Sequence, residues 1–325
     1  MMHLHLNDFK SAKTRIESHI KKTTLLRCNT LERHLNTPHR LFLKLENEQP
    51  THSFKVRGAF NALLSLTADQ KTKGIVTRSS GNFAQAIAYA GQLLNIKTRI
   101  VMPTHAPEIK KLATQRFHPE LIFAGTSHEE GDRVVKQIGL ETGASILSPY
   151  NHADVIVGQG TISLEVYEEL PTIHHFFCPI GGGGLMSGCA AAFKCLNPEI
   201  ETIGIEPDGA ADYYLSRLQG KVVVLERPDT ICDGLRAPQV GALNRPILDQ
   251  SVDTVATISD RAIIKAMKFL KEHCSLTIEP SGAAALAGLM HHKPLLKGDT
   301  VCVITGSNVD LSAYEKWMEE DDDRI

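Results

Sequence analysis

The stretch HHFFCPIGGGGLMSGCAAAFKCL, residues 174–196, runs from bulky apolar residues through four successive glycines into a small-residue helical pattern. It reads as a strand, a loop and a helix. Four backbone amides without Cβ atoms can turn inward and surround an anion at a helix N-terminus. No Lys-Ser or Lys-Thr follows, as a P-loop requires, and no GxGxxG fingerprint sits in a first strand–helix unit. The other reading of such a loop is a flexible turn or hinge. Its place between strand and helix favours phosphate binding.

The same strand-then-helix order extends in both directions. RLFLKLEN (40–47) reads as a strand and SFKVRGAFNALLSL (53–66) as a helix with Ser53 as its N-cap. GIVTRSS (74–80) leads into NFAQAIAYAGQLL (82–94), and TRIVMP (98–103), ELIFAG (120–125) and ASILSP (144–149) read as further strands. GQGTISLEVYEEL (158–170) is helical, ETIGIEP (201–207) a strand, and TVCVITGSN (300–308) a strand running into a turn. This alternation predicts an α/β fold with a mainly parallel, helix-covered sheet, and 325 residues suffice for two of them. Ligands in such folds collect beyond the carboxyl ends of the strands. There the sequence places SSGN (79–82), the glycine run (181–184) and TGSN (305–308).

Bulk properties exclude several classes. The formal net charge is −2, with charges mixed along the chain, so no basic face announces nucleic acid. No apolar run approaches the ~18 residues of a membrane span, and MMHLHLNDFKSAKTRI lacks the basic start and apolar core of a signal peptide. Seven scattered cysteines without a CxxC pair read as reduced thiols, which points to the cytoplasm. The acidic run Glu319–Asp323 reads as a solvated tail.

Taken singly, Lys55 in QPTHSFKVRGAFNALL (49–64) is an ordinary lysine, SSGN caps a helix, and TGSN is a turn. Together they supply an amine, a phosphate cup, an amide side chain and a terminal hydroxyl. Pyridoxal phosphate needs that set for its aldehyde, phosphate, ring hydroxyl and ring nitrogen.

The motifs SFKVRGA, SSGN.AQA, MP..AP..K, GQGT, GGGGLMSG, GIEP, DGL, IEPSGAA and TGSN occur in this order over nearly the whole chain. In this the sequence resembles the fold-type II pyridoxal-phosphate enzymes, the tryptophan synthase β-like fold, and within them the threonine/serine dehydratases and serine racemases. The resemblance implies two packed lobes, each an open, mainly parallel twisted sheet covered by helices. Residues 1–73 and 151–325 would form a large cofactor-binding domain and 74–150 a small one. It implies that Lys55 binds the cofactor covalently, that Gly181, Gly182, Gly183, Gly184 and Leu185 grip the phosphate, and that Asn82 bonds the ring hydroxyl. Phe54 would border the ring, Thr305 would face the ring nitrogen, and Glu279 would lie near the cofactor. Ser79, Ser80, Gly81 and Asn82 would hold the substrate carboxylate. Glu206, the Ala210 carbonyl and Asp212 match the family's divalent site, for Mg²⁺, Ca²⁺ or Mn²⁺. A homodimer is implied as well.

The implied activity is dehydration of L-threonine or L-serine to a 2-oxo acid and ammonia. A neutral hydroxyl at Thr305, where a carboxylate would keep the ring nitrogen protonated, suits elimination better than transamination. The alternative is racemisation of serine, or dehydration or racemisation of 3-hydroxyaspartate, with Ser80 facing Lys55 across the substrate. Three positions depart from the racemase pattern: Phe83 stands in place of histidine, Gly131 in place of a carboxylate-binding arginine, and Tyr150 in place of asparagine. Dehydratase is therefore the main expectation. β-Replacement synthesis, non-catalytic cofactor binding and a nucleotide-dependent dehydrogenase fit the motifs less well.

Overall fold

The computed structural model describes residues 2–106, 108–125, 128–292 and 296–320. Pro107 of the MP..AP..K motif and Asp321–Asp323 of the acidic run lie outside the described residues. Ten strands are present among the described residues: β1 (Leu25–Arg27), β2 (Leu41–Leu45), β3 (Ile75–Arg78), β4 (Thr98–Met102), β5 (Glu120–Phe123), β6 (Ser145–Ile146), β7 (Ile173–Pro179), β8 (Glu201–Pro207), β9 (Thr254–Ile258) and β10 (Asp299–Ile304). They form a six-stranded sheet in the order β1-β2-β10-β7-β8-β9 and a four-stranded sheet in the order β5-β4-β3-β6. Every pairing is parallel except β1 with β2. Two helix-covered, mainly parallel sheets are thus what the alternation predicted.

Burial explains which strands sit centrally. All six residues of β10 are buried, as expected for a parallel strand covered by helices on both faces. Edge strand β5 has both its end residues exposed. The short edge strand β1 and the half-buried β9 have no counterpart in the sequence reading.

Close approach between helices explains one motif. Helix Lys55–Ser65 packs against helix Ala153–Glu169. A Cβ on Gly158 would stand 2.8 Å from both the Arg57 carbonyl oxygen and the Gly58 Cα, and one on Gly58 would stand 2.4 Å from Gln159 Nε2. The glycines of GQGT and VRGA therefore let two backbones meet. Beneath the same helix lies a buried charge cluster. Arg57 reaches Glu46 through Nε (2.7 Å) and Nη2 (2.8 Å), and Glu165 through Nη1 (2.7 Å) and Nη2 (2.9 Å). Lys44 completes it, donating to Glu165 at 2.7 Å.

The structure corrects one local expectation. Ser53 does not cap the lysine helix, which begins at Lys55 with Phe54 at the N-cap position and no side-chain cap. Ser53 instead bridges Gly306, and the Phe54 amide donates to the Thr305 carbonyl at 3.0 Å. A long-range backbone contact has taken the place of a local one. Among the described residues, no helix is long and apolar enough to cross a membrane.

Candidate active site

That backbone stitch brings Lys55 beside the end of β10, where Thr305 follows the strand. Lys55 Nζ donates to the Pro149 carbonyl at 3.1 Å and lies 5.0 Å from the centre of the Phe54 ring. Burial lowers its amine to about 8, against an opposing pull from Glu279. A nucleophile and base must spend part of its time neutral, and this environment provides for that.

Lys55 lines a cavity of about 360 Å³, a size that suits a small cofactor with its substrate. Phe54, Ser79, Ser80, Gly81, Asn82, the glycines 181–184, Leu185 and Thr305 line the same cavity. The expected cofactor and substrate residues, drawn from both sheets, thus share one space. The loop Ser79–Gly81 leaves β3 and enters helix Asn82–Leu94. Its serines do not cap that helix, since Gly81 occupies the N-cap without a side-chain bond. A Cβ on Gly81 would meet nothing within 4 Å, so the loop borders open space.

The glycine run follows β7 and starts helix Gly184–Leu196. Among the described residues, no protein oxygen accepts from the backbone N–H of Gly182, Gly183, Gly184 or Leu185. Unsatisfied amides at a helix N-terminus are an anion site. The need for glycine here also has a packing cause that the sequence did not disclose. A Cβ on Gly182 would stand 2.4 Å from the Tyr150 ring, and Gly183 adopts φ +90°. Asn244 holds the loop from behind, donating to the Gly182 carbonyl at 2.8 Å and the Tyr150 carbonyl at 3.0 Å.

Asn82 is fixed by two partners. Its Nδ2 donates to Glu279 Oε1 at 2.7 Å, and its Oδ1 accepts from Asn308 Nδ2 at 2.8 Å. The second N–H of the amide remains for a ligand. Burial, reinforced by Asp233, pushes the Glu279 carboxyl up to about 8. Thr305 Oγ1 donates to the Ser281 carbonyl at 3.3 Å, a long contact that leaves the hydroxyl able to turn its proton toward a ligand instead.

A family model described as pyridoxal-phosphate dependent enzyme matches residues 16–306. The chain belongs to this family. It is 36% identical over 317 residues to the L-threo-3-hydroxyaspartate ammonia-lyase of Saccharomyces cerevisiae, covering 97% of each protein. The structure of maize serine racemase superposes with a TM-score of 0.93 at 36% identity, covering 98% of this chain and 97% of that one. The processed form of threonine deaminase isoform 2 from Solanum lycopersicum gives 0.91 at 32% identity, covering 97% of this chain and 86% of that one.

The site fits pyridoxal phosphate on its own terms. The unsatisfied amides of the glycine loop suit a phosphate, Lys55 offers an amine of lowered pKa, and the Asn82 amide and Thr305 hydroxyl offer neutral partners. Several lining residues had no role in the sequence reading: Arg78, Lys110, Asp233, Arg236, Ser281 and Asn308. Asn308 and Ser281 stand within TGSN and IEPSGAA, and Arg78 immediately precedes SSGN, so proximity to those motifs was the available signal.

The expected metal residues lie apart from the cavity lining, at the end of β8. Glu206 accepts from the Tyr213 amide at 3.1 Å and the Tyr214 amide at 2.6 Å. Asp212 Oδ2 accepts from the Val240 amide at 2.8 Å, while its Oδ1 is buried without a partner. Burial and then Asp212 raise Glu206 to about 8, and burial raises Asp212 to about 7. An orphaned carboxylate oxygen beside a second buried carboxylate fits a cation. Among the described residues, no cluster of three or more His, Cys, Asp or Glu side chains is available to a metal. The fit therefore rests on two carboxylates, a carbonyl and water.

Proposed function

We propose that this enzyme is an ammonia-lyase for β-hydroxy-α-amino acids, represented by L-threonine and L-serine. It would remove water across Cα and Cβ, and hydrolysis of the resulting enamine by a second water would release a 2-oxo acid and ammonia. The observation that carries this reading is an amine of lowered pKa, Lys55, in one cavity with the SSGN loop and a ring of unsatisfied glycine amides. When bound, pyridoxal phosphate supplies the electron sink that acidifies the Cα–H bond. Lys55 Nζ accepts the Cα proton. Ser79, Ser80 and the amides of Gly81 and Asn82 hold the substrate carboxylate, and the amides from Gly181 to Leu185 hold the cofactor phosphate. Thr305 gives the ring nitrogen a hydroxyl in place of a carboxylate, which favours elimination over transamination.

Racemisation is the second reading, favoured by one observation: the Ser80 hydroxyl lines the same cavity as Lys55. A serine on the far side of the substrate plane would return the proton that lysine removes. Offering L-threonine, L-serine and L-threo-3-hydroxyaspartate separately, with 2-oxo acid and D-amino acid both measured, tests the two readings together. Absence of 2-oxo acid from all three refutes the lyase.

Glu206, the Ala210 carbonyl and Asp212 would hold a divalent cation, and the buried, partnerless Asp212 Oδ1 supports this. The cation would brace the cofactor loop at second hand. Asp212 accepts from Val240, and the next residue, Gly241, donates to the Gly182 carbonyl at 3.0 Å. Residues 74–150 would form the small lobe, a homodimer is the implied assembly, and seven free thiols suit a reducing compartment.

A further inference from the structure

Cys28 and Cys274 stand 246 positions apart in the chain, yet their sulfurs are 4.0 Å from each other. Cys28 lies between β1 and the short helix Asn29–His34, and Cys274 is the last residue of helix Asp260–Cys274. The two elements meet a second time through His34 and Phe269, whose ring centres are 5.4 Å apart. Cys28 and Phe269 belong to one hydrophobic cluster, and Cys274 packs against it. Both backbones are held. The Cys28 amide donates to the Leu41 carbonyl at 2.8 Å, and the Cys28 carbonyl accepts from the Glu32 amide at 3.1 Å. After Cys274 the chain turns at Ser275, with φ +56°, and the Leu276 amide donates to the Leu270 carbonyl at 3.0 Å. A disulfide needs its sulfurs about 2 Å apart, so each must travel ~1 Å, within the sweep of a χ1 rotation.

The chemistry of this pair differs from that of the remaining thiols. Cys178, Cys189, Cys232 and Cys302 are buried, and burial raises all four. Cys195 is exposed and donates to the Leu4 carbonyl at 3.7 Å. Cys28 accepts from the Cys274 thiol, and that contact draws the Cys28 thiol below its ordinary range. Burial and Glu32 oppose the shift, while the Leu31 and Thr30 amides assist it. The same contact, with burial, holds the Cys274 thiol up. One sulfur of the pair is thus readied as a thiolate and the other keeps its proton. Cys28 is only 6% exposed, whereas Cys274 is half-buried and leaves a small oxidant a way in. Among the described residues, no group of three or more His, Cys, Asp or Glu side chains could hold a metal, so the pair stands as a dithiol rather than half of a zinc site.

We propose that Cys28 and Cys274 form a peroxide-sensitive dithiol that closes reversibly to a disulfide. The Cys28 thiolate attacks hydrogen peroxide, the O–O bond breaks, and Cys28 becomes a sulfenic acid. The departing hydroxide takes up the proton that Cys28 had lost. The Cys274 sulfur then attacks the sulfenic sulfur, the S–S bond forms and the S–O bond breaks. The second hydroxide leaves with the Cys274 proton. One peroxide is reduced to two waters while two thiols are oxidised to one disulfide. The bond fastens the β1 edge of the larger sheet to its helix layer. It also anchors residues 275–279, the segment that ends at Glu279, the partner of Asn82. Closing so long a loop restricts the unfolded chain and should stabilise the fold.

The test uses the Cys195→Ser holoenzyme, which lacks the exposed thiol. It is treated with hydrogen peroxide and then catalase, denatured, and labelled with a maleimide. Intact mass should show two fewer adducts than the untreated protein and no added oxygen, and dithiothreitol should restore both adducts. Non-reducing peptide mapping should join Cys28 to Cys274. The oxidised protein should melt roughly 2–10 °C higher than the reduced one. In the same background, Cys28→Ser and Cys274→Ser should form no disulfide and show no such rise. The mapping and the melting shift are read on the protein that retains both cysteines, so they stand even if a serine variant fails to fold. An unchanged adduct count, a disulfide between other cysteines, or oxygen added at Cys28 or Cys274 without a cross-link would overturn the assignment. A melting temperature that oxidation does not raise would overturn the stabilising role.

Discussion

Replacing Arg57 with methionine removes the centre of the charge cluster beneath the lysine helix. The cluster holds two positive groups, Lys44 and Arg57, and two negative ones, Glu46 and Glu165, and none of these side chains is more than 4% exposed. Burial opposes the charge on Arg57, but Glu46 and Glu165 outweigh it and raise the pKa further. In the variant, Lys44 alone faces two buried carboxylates, and four charge-assisted hydrogen bonds are lost. Breaking a buried pair on one side costs ~3–5 kcal/mol. With a urea slope of ~3 kcal/mol/M, the unfolding midpoint should drop by ~1–1.7 M. The double variant Arg57→Met/Glu46→Gln leaves the Lys44–Glu165 pair balanced and should recover ~1 kcal/mol or more of that loss. Urea unfolding of the three proteins at pH 7, followed by far-UV circular dichroism, makes the comparison. A single variant within ~0.2 M of wild type, or a double variant less stable than the single, would refute the reasoning.

Three further outcomes are expected. Cofactor capture by the apoprotein requires neutral Lys55, and with its pKa at about 8 the neutral fraction rises as pH rises. The capture rate followed by absorbance should therefore climb roughly tenfold from pH 7 to 9 and then level off, whereas an unperturbed lysine would give about a 100-fold climb with no plateau. Gly183→Ala must place a side chain at φ +90° with its Cβ 3.0 Å from Asn244 Cβ. Strain of ~1–3 kcal/mol should weaken pyridoxal phosphate roughly 5- to 150-fold in a fluorescence titration, and wild-type affinity with an unchanged melting temperature would contradict this. Chelation with EDTA should lower both melting temperature and activity, and Asp212→Asn should abolish the sensitivity. A wild type indifferent to chelator would return Glu206 and Asp212 to a purely structural role.

The parts of the site that the sequence disclosed are those where a strand end and its loop carry the chemistry on consecutive residues. SSGN, the glycine run and TGSN are of this kind, since position after a strand implies position at the ligand. What stayed hidden depends on contacts across the chain. Ser53 has a good capping residue's chemistry, yet its backbone is recruited by Gly306, more than 250 residues away. The crowding of Tyr150 against the glycine loop, the pairing of Lys44 and Glu46 with Arg57 and Glu165, and the lie of Arg78 over Gly131 are equally non-local. The edge strands β1 and β9 escaped because short or half-exposed segments carry little periodic signal.

Strand β10 comes last in chain order, yet it sits in the middle of the larger sheet, between β2 and β7. All nine other strands must be synthesised before this gap can close. Until then β2 and β7 face each other across it as two bare, sticky borders, each able to pair with a stranger. The vitamin can find its full set of partners only after that insertion, because Thr305 and Asn308 arrive with the same segment. Supplying cofactor to the nascent chain should accordingly do little for its yield, whereas anything that shields exposed β-edges during synthesis should help.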